Sequence, residues 1–323
     1  MKAQKTLAIS LFLAFGIPLV YALVMRYLFG SMDDVFEIMS ISFLFLLPIL
    51  VGFLCVFLSR FKNSEKWWFI FFAPWIPVVL FAIITLILSI EGFACWVMVM
   101  PLFLLAASLG GIIAGYLKRR EIRSKAKISL LVLLPFLISP LEDSINTFPS
   151  SYKAYTYIDI NSTPELIWDE VTRVKAIPNE EDRGDFTKFL GFPRPIEALL
   201  DYEGIGASRE AKFSGGLVFH EKVVEYQDNK KMVFTIAANT HEIPAATMDE
   251  HVLIGGDYFD VLKGTYELEK IDSEKYRLHL FSNFELNTSF NFYAAPWAKW
   301  IMKDIQNNIL QVEKKRAESN FIK

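Results

Sequence analysis

The chain has 323 residues, 53% of them hydrophobic, and a formal charge of −3. The charge is unevenly spread: up to Pro140 there are 12 Lys and Arg against 6 Asp and Glu, and beyond it 21 against 30. The acidic second part argues against a nucleic-acid binder, which needs a basic face, and against a domain lying flat on anionic lipid. Cys55 and Cys95 both fall in apolar runs, so the second part has no disulfide.

Five apolar runs come first, at about 7–29, 38–58, 67–89, 95–117 and 128–141. The first four approach the ~20 residues that cross hydrocarbon. The first begins like a signal peptide but is long and lacks a small-residue cleavage site, so it reads as an uncleaved helix. Arg26 near its far end is expected to snorkel to the interface. Pro18, Pro48, Pro74, Pro77 and Pro101 interrupt the runs, which packed membrane helices tolerate. The fifth run reaches only about 21 Å as a helix, against a core of about 30 Å. It is expected to span with local thinning or extension through Ile145; a re-entrant helix is the alternative.

The joints orient these runs. Arg60, Lys62 and Lys66 come after the second, and Lys118, Arg119, Arg120, Arg123, Lys125 and Lys127 after the fourth. Asp33, Asp34 and Glu37 come after the first, and Glu91 after the third. The positive-inside rule then puts the N-terminus in the cytoplasm and, if the fifth run spans, the second part outside it. Trp67, Trp68 and Trp96 sit at run ends like an aromatic belt. Without intramembrane charges beyond Arg26 and the run ends, residues 1–147 read as a transmembrane helical anchor rather than a transport path.

Residues 148–323 read as a water-soluble domain. KAYTYIDI, residues 153–160, alternates as a strand. Ser162 and Glu165 make a capping box, with Pro164 in the first turn of a helix to about Arg173. Pro178, Gly184, Gly191, Pro193 and Pro195 break up the next stretch. Strands at 207–213 and 217–226 flank Ser214-Gly215-Gly216, a hairpin signal. Further strands are expected at 232–237, 259–271 and 276–286, with a long loop at 238–250. A helix at 291–316 closes the chain, with Trp297, Ile301, Ile305, Ile309 and Val312 on one face. One long helix can cover a curved antiparallel sheet, and a gap between them would suit an apolar ligand.

The cavity-lining candidates are Trp168, Phe213, Phe219, Phe234, Tyr258, Phe281, Trp297 and Ile301, with Asn283, His241 and His251 as polar contacts. His241, Glu242, Asp249, Glu250 and His251 cluster on the long loop, either as a polar pocket mouth or as ordinary solvated charges. Catalytic residues are not identified; His220 and Glu250 are weak candidates for an acid/base pair. His220 could equally be a satisfied wall residue. Cysteine and histidine spacing gives no metal site, and no cofactor motif is present.

YIDINSTPELIWDEV (157–171), GFPRP (191–195), GIGASREAKFSGGLVFHEKV (204–223), HVLIGGDYFDVLKGTYELE (251–269) and NTSFNFYAAPWAKWIMKDIQNNILQVEKKRAE (287–318) resemble the SRPBCC superfamily of START-like and polyketide cyclase/dehydratase-like domains. The likeness is greatest to a membrane-bound bacterial subgroup. It implies a helix-grip fold with an internal cavity, without implying a reaction. The expected architecture is therefore an all-α transmembrane bundle of about five helices, then an α+β helix-grip domain. The expected location is the bacterial inner (plasma) membrane. The preferred reading is a membrane-anchored binding module, with the bilayer and a hydrophobic small molecule as partners and no nucleic acid or cofactor. A cyclase/dehydratase-like enzyme and an interaction protein with a filled core remain as alternatives.

Overall fold

The computed structural model describes residues 2–31, 38–61, 64–120, 132–143, 149–238 and 254–322. Contacts divide the chain into Met1–Thr147 and Phe148–Lys323.

In the first unit α1 (Lys2–Leu11), a π-helical turn (Phe12–Gly16) and α2 (Ile17–Phe29) run on without a break. A second π turn (Ser42–Leu46) leads into α3 (Leu47–Leu58). Both π turns lie just before a proline, Pro18 and Pro48. A proline ring clashes with the carbonyl four residues earlier and donates no hydrogen bond, so the helix widens by one residue to pass it. Then come α4 (Trp67–Phe72), α5 (Trp75–Ile87), α6 (Phe93–Arg119) and α7 (Leu134–Asp143).

Among the described residues three helices are long and apolar enough to cross a membrane: Thr6–Phe29, Trp67–Ile87 and Phe93–Arg119. Of the five expected, three therefore reach spanning length among the described residues. Ser42–Leu58 is shorter, about 25 Å at 1.5 Å per residue, and α3 is buried along nearly its whole length. It meets other helices instead of facing outward. A Cβ at Gly52 would strike the Ala107 carbonyl, and one at Gly110 the Ile49 carbonyl. Bare glycines thus let α3 and α6 touch backbone to backbone, as in small-residue packing between membrane helices. The fifth run lies partly outside the described residues; its described portion is α7 and two residues before it.

Charge caps both ends of this inner helix. At its N-terminus the Glu142 carboxylate accepts from the Ser42 amide (3.0 Å) and hydroxyl (2.9 Å) and from the Ile41 amide. At its C-terminus Lys118 Nζ donates to the Ser59 carbonyl (2.7 Å) and the Ser64 hydroxyl (3.0 Å). An anion at the start and a cation at the end complement the helix dipole. Lys118 and Glu142 thus meet opposite ends of Ser42–Leu58. Arg26 is 8% exposed and ion-paired with Glu91 in the joint after the third run.

The second unit is one antiparallel sheet of eight strands in the order β1-β8-β7-β6-β5-β4-β3-β2. The strands are β1 (Ser150–Asn161), β2 (Arg173–Val174), β3 (Pro195–Leu200), β4 (Ser208–Phe213), β5 (Val218–Gln227), β6 (Lys231–Ala238), β7 (Phe259–Lys270) and β8 (Lys275–Leu286). The first strand pairs with the last, from Ser150↔Leu286 to Asn161↔Lys275. Register shifts interrupt the ladders at Pro195/Glu197, Val223/Glu225 and Val261/Lys263. Such bulges bend and twist a sheet, and this one curves into a half-barrel. Short helices α8 (Pro164–Thr172) and α9 (Asp185–Leu190) come after β1 and β2, and α10 (Asn291–Phe321) ends the fold. The cap of α8 differs from the expected box: Thr163 accepts from the Leu166 amide, while Ser162 Oγ donates to the Ala317 carbonyl (3.1 Å) and ties β1 to α10.

The buried side of the sheet faces α10. On β8 every second residue from Leu278 to Leu286 is buried. One apolar cluster, with Trp168, Met232, Leu278 and Leu310, fills one end of the space under the helix. Another, with Ala154, Phe284, Leu286 and Met302, fills the other. Between them Gln306 Nε2 donates to Ser282 Oγ (2.8 Å) and Gln306 Oε1 accepts from Thr156 Oγ1 (3.1 Å), fixing the register of helix on sheet. A curved sheet gripping a long C-terminal helix is the helix-grip architecture.

Candidate functional site

The interior under α10 is not filled. A cavity of about 130 Å³ lies between the helix and the sheet. Met302, Ile305, Gln306 and Ile309 form its helical wall. Phe213, Phe219, Phe234 and Ile236 face them from the sheet, and Ile177, Phe192 and Ile254 contribute from the connections. The lining is mostly apolar, as in a site for an apolar guest. Gly264 shapes it: a Cβ there would run into the Phe234 ring, so only glycine lets that ring lie flat on β7.

One end of the cavity is polar. Arg209 on β4 and Glu221 on β5 both point inward and are ion-paired at 2.5 Å, with side chains 4% and 6% exposed. The Arg209 guanidinium lies 5.4 Å from the centre of the Phe234 ring. Tyr266 on β7 completes this part of the wall. Glu313, one turn beyond Ile309 on α10 and so on the same helix face, is 1% exposed. Both of its carboxyl oxygens, and Arg209 Nε, are buried without a hydrogen-bond partner. The Tyr266 hydroxyl lies against this carboxyl and favours its charged form.

Burial dominates the acidities here. It pushes the Glu313 carboxyl up to about 8, with Arg209 and Tyr266 opposing it only in part. It raises Glu221 too, against the attraction of Arg209. It holds the Tyr266 phenol well above its usual value, with Glu313 adding to the effect. Burial pulls Arg209 the other way, and Glu221, Tyr266 and Glu313 together more than offset it. Arg209, Glu221 and Tyr266 thus line the cavity with a permanent cation, its paired carboxyl and a phenol, while Glu313, which keeps its proton at neutral pH, is not one of the lining residues.

Of the residues singled out from sequence, Phe213, Phe219 and Phe234 line the cavity. Trp168 is core, its indole N–H donating to the Tyr226 hydroxyl at 3.0 Å. Tyr258 lies just before β7, where its carbonyl accepts from the Asn287 amide. Phe281 and Asn283 sit on the outer face of β8; Phe281 stacks on Tyr155 at 4.8 Å under the Lys153 ammonium. Trp297 stacks on Trp300 at 5.7 Å. Ile301 is buried but off the cavity lining, which Met302 reaches instead. His220 is exposed, and its neighbour Glu221 is the inward residue. His241, His251 and Glu250 lie outside the described residues.

The polar end is absent from the sequence-based candidates, though strand alternation carries its signal. Glu221 falls between Phe219 and Val223, and Arg209 between Ala207 and Ala211, so an apolar face puts both charges inside. Glu313 continues the stripe of Met302, Ile305 and Ile309 at helical spacing.

No family model matches the chain, and no curated protein matches it. Among solved structures it is similar to a START superfamily protein from Mycobacterium smegmatis, at 10% identity and a TM-score of 0.34, over 52% of this chain and 98% of that one. It is also similar to truncated norcoclaurine synthase from Thalictrum flavum, at 10% identity and 0.31, over 52% and 95%. A third is a conserved protein of unknown function from Enterococcus faecalis, at 11% identity and 0.30, over 53% and 73%. Likeness at this level says nothing about ligand or reaction, and the helix-grip architecture rests on the strand order and on α10.

Proposed function

We propose that the protein is a membrane-anchored binding module that holds a hydrophobic or lipid-like small molecule between α10 and the sheet. The observation that carries this reading is the apolar-walled cavity of about 130 Å³ under α10. A filled interior, the mark of a purely structural domain, is absent at that point. Tethering to the bilayer raises the local concentration of a membrane-derived guest. Native mass spectrometry of the full chain released from nanodiscs tests this. A co-purifying apolar molecule, lost when Ile305→Trp fills the cavity, supports it; recovery of none from several hosts counts against it.

The anchor is read as an integral unit of the bacterial inner membrane, N-terminus in the cytoplasm. The contacts of Lys118 and Glu142 with opposite ends of Ser42–Leu58 support a fifth crossing and an extracytoplasmic second unit. A cysteine at exposed Asp228 is then labelled in intact cells by a membrane-impermeant maleimide. Labelling only after lysis would place the unit in the cytoplasm.

A second reading has one observation behind it. A carboxyl that keeps its proton near neutral pH, beside an arginine at a cavity, is what a cyclase- or dehydratase-like acid catalyst needs. In that reading Glu313 takes the role assigned from sequence to His220 and Glu250. Loss of the cellular phenotype in Glu313→Gln with guest binding retained would favour it.

A further inference from the structure

One wall of the cavity is neither sheet nor α10: the stretch between β2 and β3 supplies Ile177, Phe192 and Pro193 to the lining. Both of its ends are fixed. The Ile177 amide donates to the Ile196 carbonyl on β3 (2.8 Å), and the Arg194 carbonyl accepts from the Ser214 amide in the β4–β5 turn (2.8 Å). Between these points residues 178–193 fold on themselves. Arg194 Nε donates to Asp182 (2.8 Å), and the Phe192 amide donates to the Thr187 carbonyl (3.0 Å). The Arg194 guanidinium lies so close to Gly184 that a Cβ there would strike it. A compact loop with its ends together and bonds of its own is an Ω-loop.

This loop is held against α10 mainly by polar groups. Asp304 accepts from the Thr187 amide (2.9 Å) and hydroxyl (2.7 Å). Asn308, one turn further on, accepts from the Arg183 amide and donates to Asp182, both at 2.7 Å. Lys315 (3.2 Å) and Arg316 (2.8 Å) pair with Glu181. A ring stack, Phe186 on the exposed Trp300 at 4.1 Å, adds to these. Water can take over each polar bond when the loop swings out, so breaking them has a small net cost. The other walls are harder to move. Lifting α10 would break the Gln306 bonds to Ser282 and Thr156 and bare the apolar clusters at both ends of the helix. The strands are held by their ladders.

We propose that residues 178–193 are the flap past which the guest enters and leaves, hinged at Ile177 and Arg194 and held shut by Asp304 and Asn308. This rests on the guest-binding reading above and adds its route. Opening carries Phe192 and Pro193 off the cavity, while the sheet and α10 keep the remaining walls. The flap therefore sets the rate of exchange and leaves the affinity nearly alone.

The test uses the full chain in phosphatidylcholine nanodiscs, with Cys55→Ala and Cys95→Ala to clear its own thiols. Thr187→Cys and Asp304→Cys are then bridged by a short bis-methanethiosulfonate linker, which a reductant removes. Fluorescence of 1-aminoanthracene gives the affinity by titration and the rates by stopped flow; empty discs are subtracted. With the bridge in place, association and dissociation both slow by about tenfold or more, and the affinity stays within about twofold. Removing the bridge restores exchange and makes it about tenfold faster than in the chain that keeps Thr187 and Asp304, because the charged hydrogen bonds holding the flap are gone. Equal rates with and without the bridge overturn the flap and leave the guest-binding reading standing. Failure of the probe to bind the unbridged chain overturns the guest-binding reading and the flap with it.

Discussion

Replacing Glu313 by Gln should stabilise the second unit, and by an amount that depends on pH. In the unfolded chain this carboxyl loses its proton near 4.5, whereas in the fold burial holds it to about 8. Between those values the folded state binds a proton that the unfolded state has released, so stability falls as pH rises. The stabilising contribution is complete below 4.5 and gone above 8. Each pH unit in the interval costs about 1.4 kcal/mol, so by pH 7 the penalty is about 3 kcal/mol and over the full interval about 5 kcal/mol. Gln fills the same space without titrating. Amide hydrogen exchange of the full chain in nanodiscs, corrected for intrinsic rates, gives opening free energies for β7 and β8. The difference between variant and unmodified chain should be small near pH 5 and grow toward about 3 kcal/mol at pH 7. A difference that stays flat with pH, or favours the unmodified chain at pH 7, would refute the argument.

Other perturbations test the same packing. Gly264→Ala drives a methyl into the Phe234 ring and should cost about 1–3 kcal/mol by overpacking, read as a lower thermal midpoint together with loss of any bound guest. Arg209→Leu strands Glu221 in a buried site and should cost about 3–5 kcal/mol, whereas Arg209→Leu with Glu221→Leu should recover most of it; a double-mutant cycle measures the coupling. In the first unit Lys118→Met removes the donor from the Ser59 carbonyl and the Ser64 hydroxyl. It should cost about 1–2 kcal/mol, seen as earlier thermal aggregation in detergent. Gly110→Leu should be far worse, because α3 and α6 touch backbone to backbone there.

Periodicity makes much of this architecture legible. The strands from residue 207 to the last β-hairpin alternate cleanly enough to place within a residue or two of where they lie, while KAYTYIDI misses the first three residues of β1. The stretch from Ala176 to Glu203 is opaque because its elements are short and held from outside. β3 accepts from the Ile177 amide through the Ile196 carbonyl, and α9 is fixed by Asp304 accepting from the Thr187 hydroxyl. Local sequence carries no trace of such partners. The face of α10 is shifted by one position from the expected one: Ile305 and Ile309 are only half-buried, while Gln306 and Glu313 are buried. Phe281 misleads for the opposite reason: it is apolar yet outward, sheltered by Tyr155 and Lys153. Arg26 reads as a lone charge because its partner, Glu91, lies 65 residues away.

The pairing of the first strand with the last has a consequence for how the protein is made. β1 emerges directly after the hydrophobic helices, yet its neighbour β8 begins at Lys275. At ribosomal speeds of about 5–20 residues per second, β1 waits on the order of ten seconds with both edges bare. A nascent chain stalled or cleaved anywhere in that interval exposes a sticky ribbon, a natural substrate for quality-control chaperones and proteases.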